Sequence, residues 1–357
     1  MTWNLAILGG GKIGEAIVQL MLDAPEYRIT VADRDTARLS SIARDRVRCA
    51  NVDCTDREQV RALLETHDAV ISACPYYLTP MIAAAAKASG THYFDLTEDV
   101  ASTRAVRELA ADADTGFVPQ CGLAPGYVGV VAHALTQRFE ALRDVRMRVG
   151  ALPIYPANAL KYNLTWSTDG LINEYCNPCE AIIDGLRRET LPLEEVEAFS
   201  LDGIAYEAFN TSGGLGTLCD TLGGRVENLD YKTVRYPGHR DIVKMLIRDL
   251  RLGQRRDVLK DVLETAIPIT LQDVVLVFVT VTGTRAARLT QETYAKKIYG
   301  ADVGGRRLSA IQLTTAAGVC GMVDLFREGH LPQRGFVPQE SASHDAFLAN
   351  RFGRYYQ

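Results

Sequence analysis

Asn4-Leu5-Ala6-Ile7-Leu8 is a short apolar run that reads as a buried strand, and Gly9-Gly10-Gly11-Lys12-Ile13-Gly14 follows it without a break. Glu15-Ala16-Ile17-Val18-Gln19-Leu20-Met21-Leu22 then opens an apolar helix. This strand, glycine turn and helix form a G-x-G-x-x-G fingerprint with Gly9, Gly11 and Gly14 in the three glycine places. Gly9 permits the tight turn, Gly11 lets backbone approach a pyrophosphate, and Gly14 lets the helix lie close to its strand. Lys12 and Ile13 supply first-turn backbone at the same phosphate end. A second strand, Tyr27-Arg28-Ile29-Thr30-Val31-Ala32, ends in Asp33, nineteen residues past Gly14. An acidic side chain at that distance grips the adenosine ribose hydroxyls. It also repels a 2′-phosphate, so NAD is expected as cofactor over NADP, with Arg34 beside it stacking on adenine or partly accepting a phosphate.

Working outward, strand and helix continue to alternate. A third strand, 47–51, precedes Asp53 and a capping box, Thr55-Asp56-Arg57-Glu58. A fourth, 69–73, leads through Ala73 and Cys74-Pro75-Tyr76-Tyr77 to Thr79-Pro80, expected as N-cap and first helical residue, with Gly90 ending that helix. Strands at 92–96 and 116–119 complete the set, which predicts an α/β doubly wound parallel Rossmann sheet. Past Gly126 the pattern changes to long strand-like runs at 145–153, 226–236 and 274–284, the last apolar enough to be buried on both faces. A helix is expected over 241–250 and an amphipathic one over 311–326, the latter returning to the first domain. We therefore expect an NAD-binding domain of residues 1–121 plus about 305–357. Residues 122–304 form a second, α+β domain on a mostly antiparallel sheet, for substrate binding and dimerisation.

The bulk composition limits the alternatives. A chain of 357 residues, 47% hydrophobic and 23% charged, has the makeup of an ordinary folded protein with room for two cores. Its formal charge of −5 and the lack of a basic stripe argue against nucleic acid. No run approaches the ~18 apolar residues of a membrane span, and the N-terminal apolar run is already used as the first strand. The eight cysteines are irregularly spaced and point to reduced thiols in the cytoplasm. Cys176-Asn177-Pro178-Cys179 is a single C-x-x-C without a second pair, read as two half-buried side chains flanking a helix start, with no metal.

Ligands of open α/β sheets lie beyond the carboxyl ends of the strands. Three loops meet that condition: the glycine turn, 74–77, and Asp95-Leu96-Thr97-Glu98-Asp99 with Cys121-Gly122-Leu123-Ala124-Pro125-Gly126 beside it. Asp95 sits at its strand end and is the functional candidate of the acidic group, whereas Asp99 reads as a helix cap. In the second domain, Lys161-Tyr162-Asn163-Leu164-Thr165-Trp166-Ser167 is a polar-aromatic stretch entering a helix, with Ser167 or Thr168 as its cap. Thr233-Val234-Arg235-Tyr236-Pro237-Gly238-His239 ends a strand and begins a helix. Arg235 is the natural carboxylate clamp there, unless it pairs with Glu207 or Glu227 at the surface.

These blocks carry a family resemblance. Residues 91–99, 119–127, 163–175, 209–218, 233–239 and 334–337 resemble the saccharopine dehydrogenase superfamily, and within it the bacterial L-lysine 6-dehydrogenases. The resemblance implies oxidation of the ε-amino group of L-lysine by NAD, giving 2-aminoadipate 6-semialdehyde, which cyclises, and ammonia. It also places Asp95 and Cys121 near the nicotinamide. On that basis Asp95, with Glu98 behind it, orients the ε-ammonium, Arg235 holds the α-carboxyl, and Tyr76 and Trp166 line the substrate. Gly122 and Cys74 join the cofactor contacts. Only the neutral amine can release hydride, and its reference pKa is about 10.4, so a base is needed and an alkaline optimum follows. His239 or Lys161 serves, and the sequence does not choose. A reductase joining an amine to an aldehyde, as in saccharopine or carboxynorspermidine synthesis, is the rival enzyme, and a catalytically silent redox sensor the rival of another class. A homodimer or higher homo-oligomer is expected because the second domain's sheet needs covering.

Overall fold

The computed structural model describes residues 2–43 and 46–357, which divide into two compact units. Unit 1 holds residues 1–127, 302–306 and 312–357, and unit 2 holds 128–301 and 307–311. In unit 1, chain order runs β1 (Trp3–Leu8), α1 (Lys12–Met21), β2 (Tyr27–Asp33), α2 (Thr36–Ile42), β3 (Val47–Asn51) and α3 (Arg57–Leu64). It continues with β4 (Ala69–Ser72), α4 (Thr79–Ser89), β5 (His92–Asp95), α5 (Val100–Ala110) and β6 (Gly116–Val118). The seven-stranded sheet has the order β6-β5-β4-β1-β2-β3, with the short strand Gly335–Phe336 outside β6, and every pairing is parallel. This is the doubly wound order, and it switches direction between β1 and β4.

The elements form for local reasons. Ala6 and Leu8 of β1 alternate with Leu5 and Ile7, and all four are fully buried, as a strand covered on both faces requires. The alanines of α4 let it lie close on the sheet, and Ile82, Ala83, Ala85 and Ala86 vanish into the core with Val70, Tyr93 and Phe117. Each large apolar side chain so buried contributes about 1.5–3 kcal/mol. Two caps differ from the sequence reading. Asp56, not Thr55, caps α3, accepting from Glu58 N and Gln59 N at 3.0 and 3.2 Å. The α4 helix already includes Thr79, because a single turn at Tyr76–Leu78 leads into it and Leu78 takes the cap position. Gly90 ends α4 in the left-handed region, as expected.

Unit 2 contains α6 (Tyr127–Thr136), which starts at the unit boundary, then β7 (Ala141–Pro153), α7 (Thr168–Cys176), β8 (Cys179–Ile183) and β9 (Leu186–Thr190). β10 (Glu197–Leu201), β11 (Ile204–Asn210), α8 (Leu218–Thr221), β12 (Val226–Arg235) and α9 (His239–Lys244) follow. The rest is α10 (Arg256–Ala266), β13 (Asp273–Arg285) and β14 (Arg288–Tyr299). Its sheet runs β10-β11-β12-β7-β13-β14, with the β8–β9 hairpin attached to β12. All pairings are antiparallel except β12 with β7. β13 lies between β7 and the edge strand β14, and its Val275, Leu276, Val277 and Val279 are all buried, so it is covered on both faces. The helix expected over 241–250 begins earlier, at His239, and relaxes into a wider turn over Met245–Asp249, which leaves Leu250 exposed. The long helix α11 (Ala310–Arg327) has its first N–H groups, on Ala310 and Ile311, held by both Asp273 oxygens at 2.6 and 3.0 Å. Its later residues belong to unit 1, where Tyr27, Asn350 and Arg351 converge on buried Asp324. Among the described residues no helix is long and apolar enough to cross a membrane.

Candidate functional site

The glycine turn of unit 1 meets its three demands in three ways. Gly9 has φ +100, and a Cβ there would stand 2.8 Å from Ala73 O. At Gly14 a Cβ would stand 1.9 Å from Gly9 O, so the turn and α1 interlock only without side chains. Nothing lies within 4 Å of a Cβ at Gly11, which is the N-cap of α1 and has no side chain to satisfy the first turn. The first-turn N–H groups of Lys12, Ile13 and Gly14 thus have no side-chain cap at the positive end of the helix, which is the setting for a phosphate. Asp33 ends β2, and its Oδ2 accepts from Gly10 N at 2.7 Å while Oδ1 accepts from Asp35 N at 2.8 Å. These bonds hold the carboxylate beside the glycine turn. Arg34 and Lys12 are exposed, and Asp53 accepts from Thr55 N and Oγ1. Ala73 and Cys74 are half-buried after β4.

The loops after β5 and β6 are welded together through Asp95. It is 1% exposed. Its Oδ1 accepts from Gln120 N (2.8 Å) and Thr97 N (3.0 Å), and its Oδ2 from Tyr93 Oη (2.8 Å). Burial pushes its carboxyl up to about 6, and the three donors limit that rise. Asp95 thus orders the loops, with two bonds on Oδ1 and one on Oδ2. Cys121 is equally enclosed: its Sγ donates to Val118 O at 3.0 Å, and burial pushes the thiol far up. A thiol so held is no nucleophile. Gly122 lies under Gly126, whose Cβ would meet Gly122 O at 2.1 Å. Asp99 caps α5 through Ser102 N. Tyr76 and Glu98 are half-buried on the loops after β4 and β5.

Sequence reasoning missed Gln120. It follows β6 in the left-handed region (φ 63), and its Oε1, like Ser72 Oγ at the end of β4, is buried with no hydrogen-bond partner among the described residues. Orphaned polar atoms at carboxyl ends of strands point to a ligand. With the open helix end at Gly11, they fit a dinucleotide.

In unit 2 the polar groups form a relay. Arg235 Nε donates to Tyr175 Oη at 2.9 Å, Tyr175 is 3.0 Å from His239 Nε2, and His239 Nδ1 is 2.9 Å from Leu160 O. Leu160 O can only accept, so His239 Nδ1 carries a proton. Burial and the Arg235 charge push the imidazole down to about 3. With both nitrogens engaged, His239 is a core strut and not the base. Arg235 does end β12, but its guanidinium is buried over the Tyr162 ring at 4.9 Å and also donates to Val234 O. It pairs with neither Glu207 nor Glu227; its Nε and Nη1 are engaged within unit 2, and Nη2 has no hydrogen bond among the described residues. Glu207 instead accepts from Gly238 N and Arg240 N. Arg240, which sequence reading passed over, carries the more open guanidinium, 22% exposed and paired with Asp241, which is 77% exposed. Lys161 is exposed, with Nζ donating to Pro237 O at 2.9 Å. Trp166 is half-buried, and Ser167 caps α7 through Gly170 N. Tyr162 Oη, Asn163 Oδ1 and Thr165 Oγ1 are buried without hydrogen-bond partners among the described residues. Cys176 ends α7 and Cys179 opens β8, so the pair flanks a helix end and not a start.

Comparison with known proteins agrees with this layout. Residues 5–118 match the saccharopine dehydrogenase NADP binding domain, and residues 122–352 match the saccharopine dehydrogenase C-terminal domain. The chain belongs to the saccharopine dehydrogenase family. It is 25% identical over 261 residues to saccharopine dehydrogenase [NADP(+), L-glutamate-forming] of Saccharomyces cerevisiae, over 68% of this chain and 57% of that one. It is 23% identical over 190 residues to the mitochondrial alpha-aminoadipic semialdehyde synthase of Bos taurus, over 51% of this chain and 20% of that one. The match thus spans little more than half of the yeast relative and a fifth of the bovine one. The structure of the apo yeast saccharopine dehydrogenase (L-Glu forming) superposes with a TM-score of 0.79 at 17% identity, covering 99% of this chain and 98% of that one, which shows a shared fold.

Proposed function

We propose that the protein is an oxidoreductase that uses NAD to oxidise the ε-amino group of L-lysine, releasing 2-aminoadipate 6-semialdehyde and ammonia. The observation that carries the cofactor is the open helix end at Gly11 beside Asp33, whose carboxylate repels a 2′-phosphate. The match to an NADP binding domain supports NADP as the second reading. When bound there, the nicotinamide would supply the hydride acceptor for the carbon bearing the ε-amine.

The chain's own groups do the rest. Gly9, Gly11, Lys12, Ile13 and Gly14 present backbone to the phosphates, and Asp33 takes the ribose hydroxyls. Gln120 Oε1, buried and lacking a partner, is an acceptor for a ligand N–H. Arg240 replaces Arg235 as the clamp for the α-carboxyl, because its bond to exposed Asp241 is easily exchanged. With His239 neutral and engaged, Lys161 is the remaining candidate for taking the ammonium proton. Water then adds to the iminium. Lysine, NAD and water give semialdehyde, ammonium, NADH and one proton.

Lysine is preferred over saccharopine because saccharopine adds the two carboxylates of its glutamate half, and Arg235, the other guanidinium of the 233–240 segment, is locked inside unit 2. The names of the yeast and bovine relatives favour the saccharopine-type reading. Steady-state assays separate the two: turnover of lysine alone supports deamination, and turnover only of saccharopine, or of glutamate plus semialdehyde in reverse, overturns it.

A further inference from the structure

The outer edge of β14 is bare. β14 is the end strand of the unit 2 sheet, and among the described residues no strand pairs with its far side. Its ladder to β13 runs without a shift in register from Arg288, opposite Arg285, to Tyr299, opposite Val274. A strand of twelve residues with neither a proline nor a bulge lacks two of the devices that blunt an edge. Charge is the remaining device, and on β14 it is of both signs, with Arg288, Glu292, Lys296 and Lys297. Lys297 is turned to Asp202 at 2.7 Å. The outward N–H and C=O groups of such a strand are a template for another strand.

The sequence of β14 is complementary to itself. Two copies joined across a two-fold axis normal to the sheet run antiparallel and keep their faces, so only residues on the same face of the strand meet. With the axis at Tyr294, Leu289 meets the partner's Tyr299, Glu292 meets the partner's Lys296, and Tyr294 meets the partner's Tyr294. Leu289 and Tyr299 are 63% and 53% exposed, and they are the two exposed large apolar side chains of the strand. Ion pairs with Arg138 and Arg285 hold the Glu292 carboxylate in place before any partner arrives. Moving the axis by one residue destroys both matches. At Thr293 it sets Leu289 against Lys297, and at Ala295 it sets Gln291 against Tyr299.

We propose that a second copy of this chain covers the edge, β14 against β14, antiparallel about Tyr294, so that the two unit 2 sheets become one. The backbone ladder over residues 289–299 supplies the attachment. The Leu289–Tyr299 contacts at its two ends and the Glu292–Lys296 contacts between them fix the register. The contact involves unit 2 alone and holds whichever amine is oxidised.

The test follows the mass of the full-length protein by analytical ultracentrifugation over a range of concentrations. The parent is expected at twice its chain mass of 39.2 kDa. Thr293 and Ala295 are both exposed, and each stands opposite the partner's copy of the other. Thr293→Asp with Ala295→Asp therefore sets carboxylate against carboxylate, and Thr293→Lys with Ala295→Lys sets ammonium against ammonium. Each double variant alone is expected to dimerise at least about tenfold more weakly than the parent, and an equal mixture of the two to recover the dimer as a mixed pair. Independently of charge, Tyr294→Cys is expected to give a dimer linked through residue 294 under mild oxidation, because its two copies lie within disulfide reach. Gln291→Cys is expected to give none, since its two copies stand about 20 Å apart along the ladder. Double variants as dimeric as the parent, a mixture no stronger than its components, or linkage through residue 291 and not 294 overturns the proposal. A parent that stays monomeric also overturns it, and leaves the edge to a strand of another protein or to none.

Discussion

Replacing Gly11 with alanine separates the phosphate cradle from the fold that supports it. The Gly11 backbone is extended (φ −73, ψ −170), a conformation open to alanine, and its Cβ would touch nothing within 4 Å. Gly11→Ala should therefore leave the stability of the ligand-free protein within about 0.5 kcal/mol of the parent. The methyl group, however, occupies the space through which a pyrophosphate reaches the N–H groups of Lys12, Ile13 and Gly14. Losing one hydrogen bond to a charged group costs about 1.5–3 kcal/mol, or roughly ten- to a hundredfold in NADH affinity. Gly14→Ala is the contrasting variant. Its Cβ would lie 1.9 Å from Gly9 O, and backbone cannot swing aside as a side chain can. Overpacking of that kind costs about 1–3 kcal/mol, so Gly14→Ala should lose both stability and binding. NADH fluorescence titration and thermal unfolding of the two variants test this together. The reasoning fails if Gly11→Ala binds NADH like the parent, or if it loses as much stability as Gly14→Ala.

Tyr175→Phe removes the hydroxyl shared by Arg235 and His239, and urea unfolding should show a loss of about 1–3 kcal/mol; a loss under about 0.5 would mean the relay is not stabilising. The Asp95 carboxyl titrates near 6 in the folded chain and near 3.9 unfolded, so between those values the native state holds a proton that the unfolded state has released. Stability should therefore fall from about pH 4 to about pH 6, by up to about 3 kcal/mol, and then level off. Asp95→Asn should flatten that segment of the urea-midpoint profile, and an unchanged slope assigns it to other groups. Asp33→Ser removes the acceptor for Gly10 N and the charge facing a 2′-phosphate, so the NADPH-to-NADH affinity ratio should rise about tenfold or more; a constant ratio would acquit Asp33 of cofactor choice.

The fold was legible where sequence patterns are local. Alternation of strands and helices with the Gly9, Gly11 and Gly14 spacing announces the parallel sheet, and the continuous run from Val274 announces a strand covered on both faces. β14 was missed because this edge strand, Arg288–Tyr299, is mostly polar, with no apolar run to mark it. The site was less legible because its chemistry depends on burial. Asp95, Arg235 and His239 are residue types that act on substrates when exposed, and the sequence carries no sign that Tyr93, Gln120 and Tyr175 would engage them instead. Gln120 itself was hidden, since a non-glycine residue in the left-handed region leaves no mark in the sequence.

The central claim is that the ε-nitrogen of lysine leaves as ammonia. Lysine carrying a heavy-nitrogen label on the ε-amine, incubated with the protein and NAD and no second substrate, tests it most directly. The account predicts labelled ammonia in equal amount to the NADH formed. Unlabelled ammonia, or no NADH from lysine together with turnover of saccharopine, would contradict it.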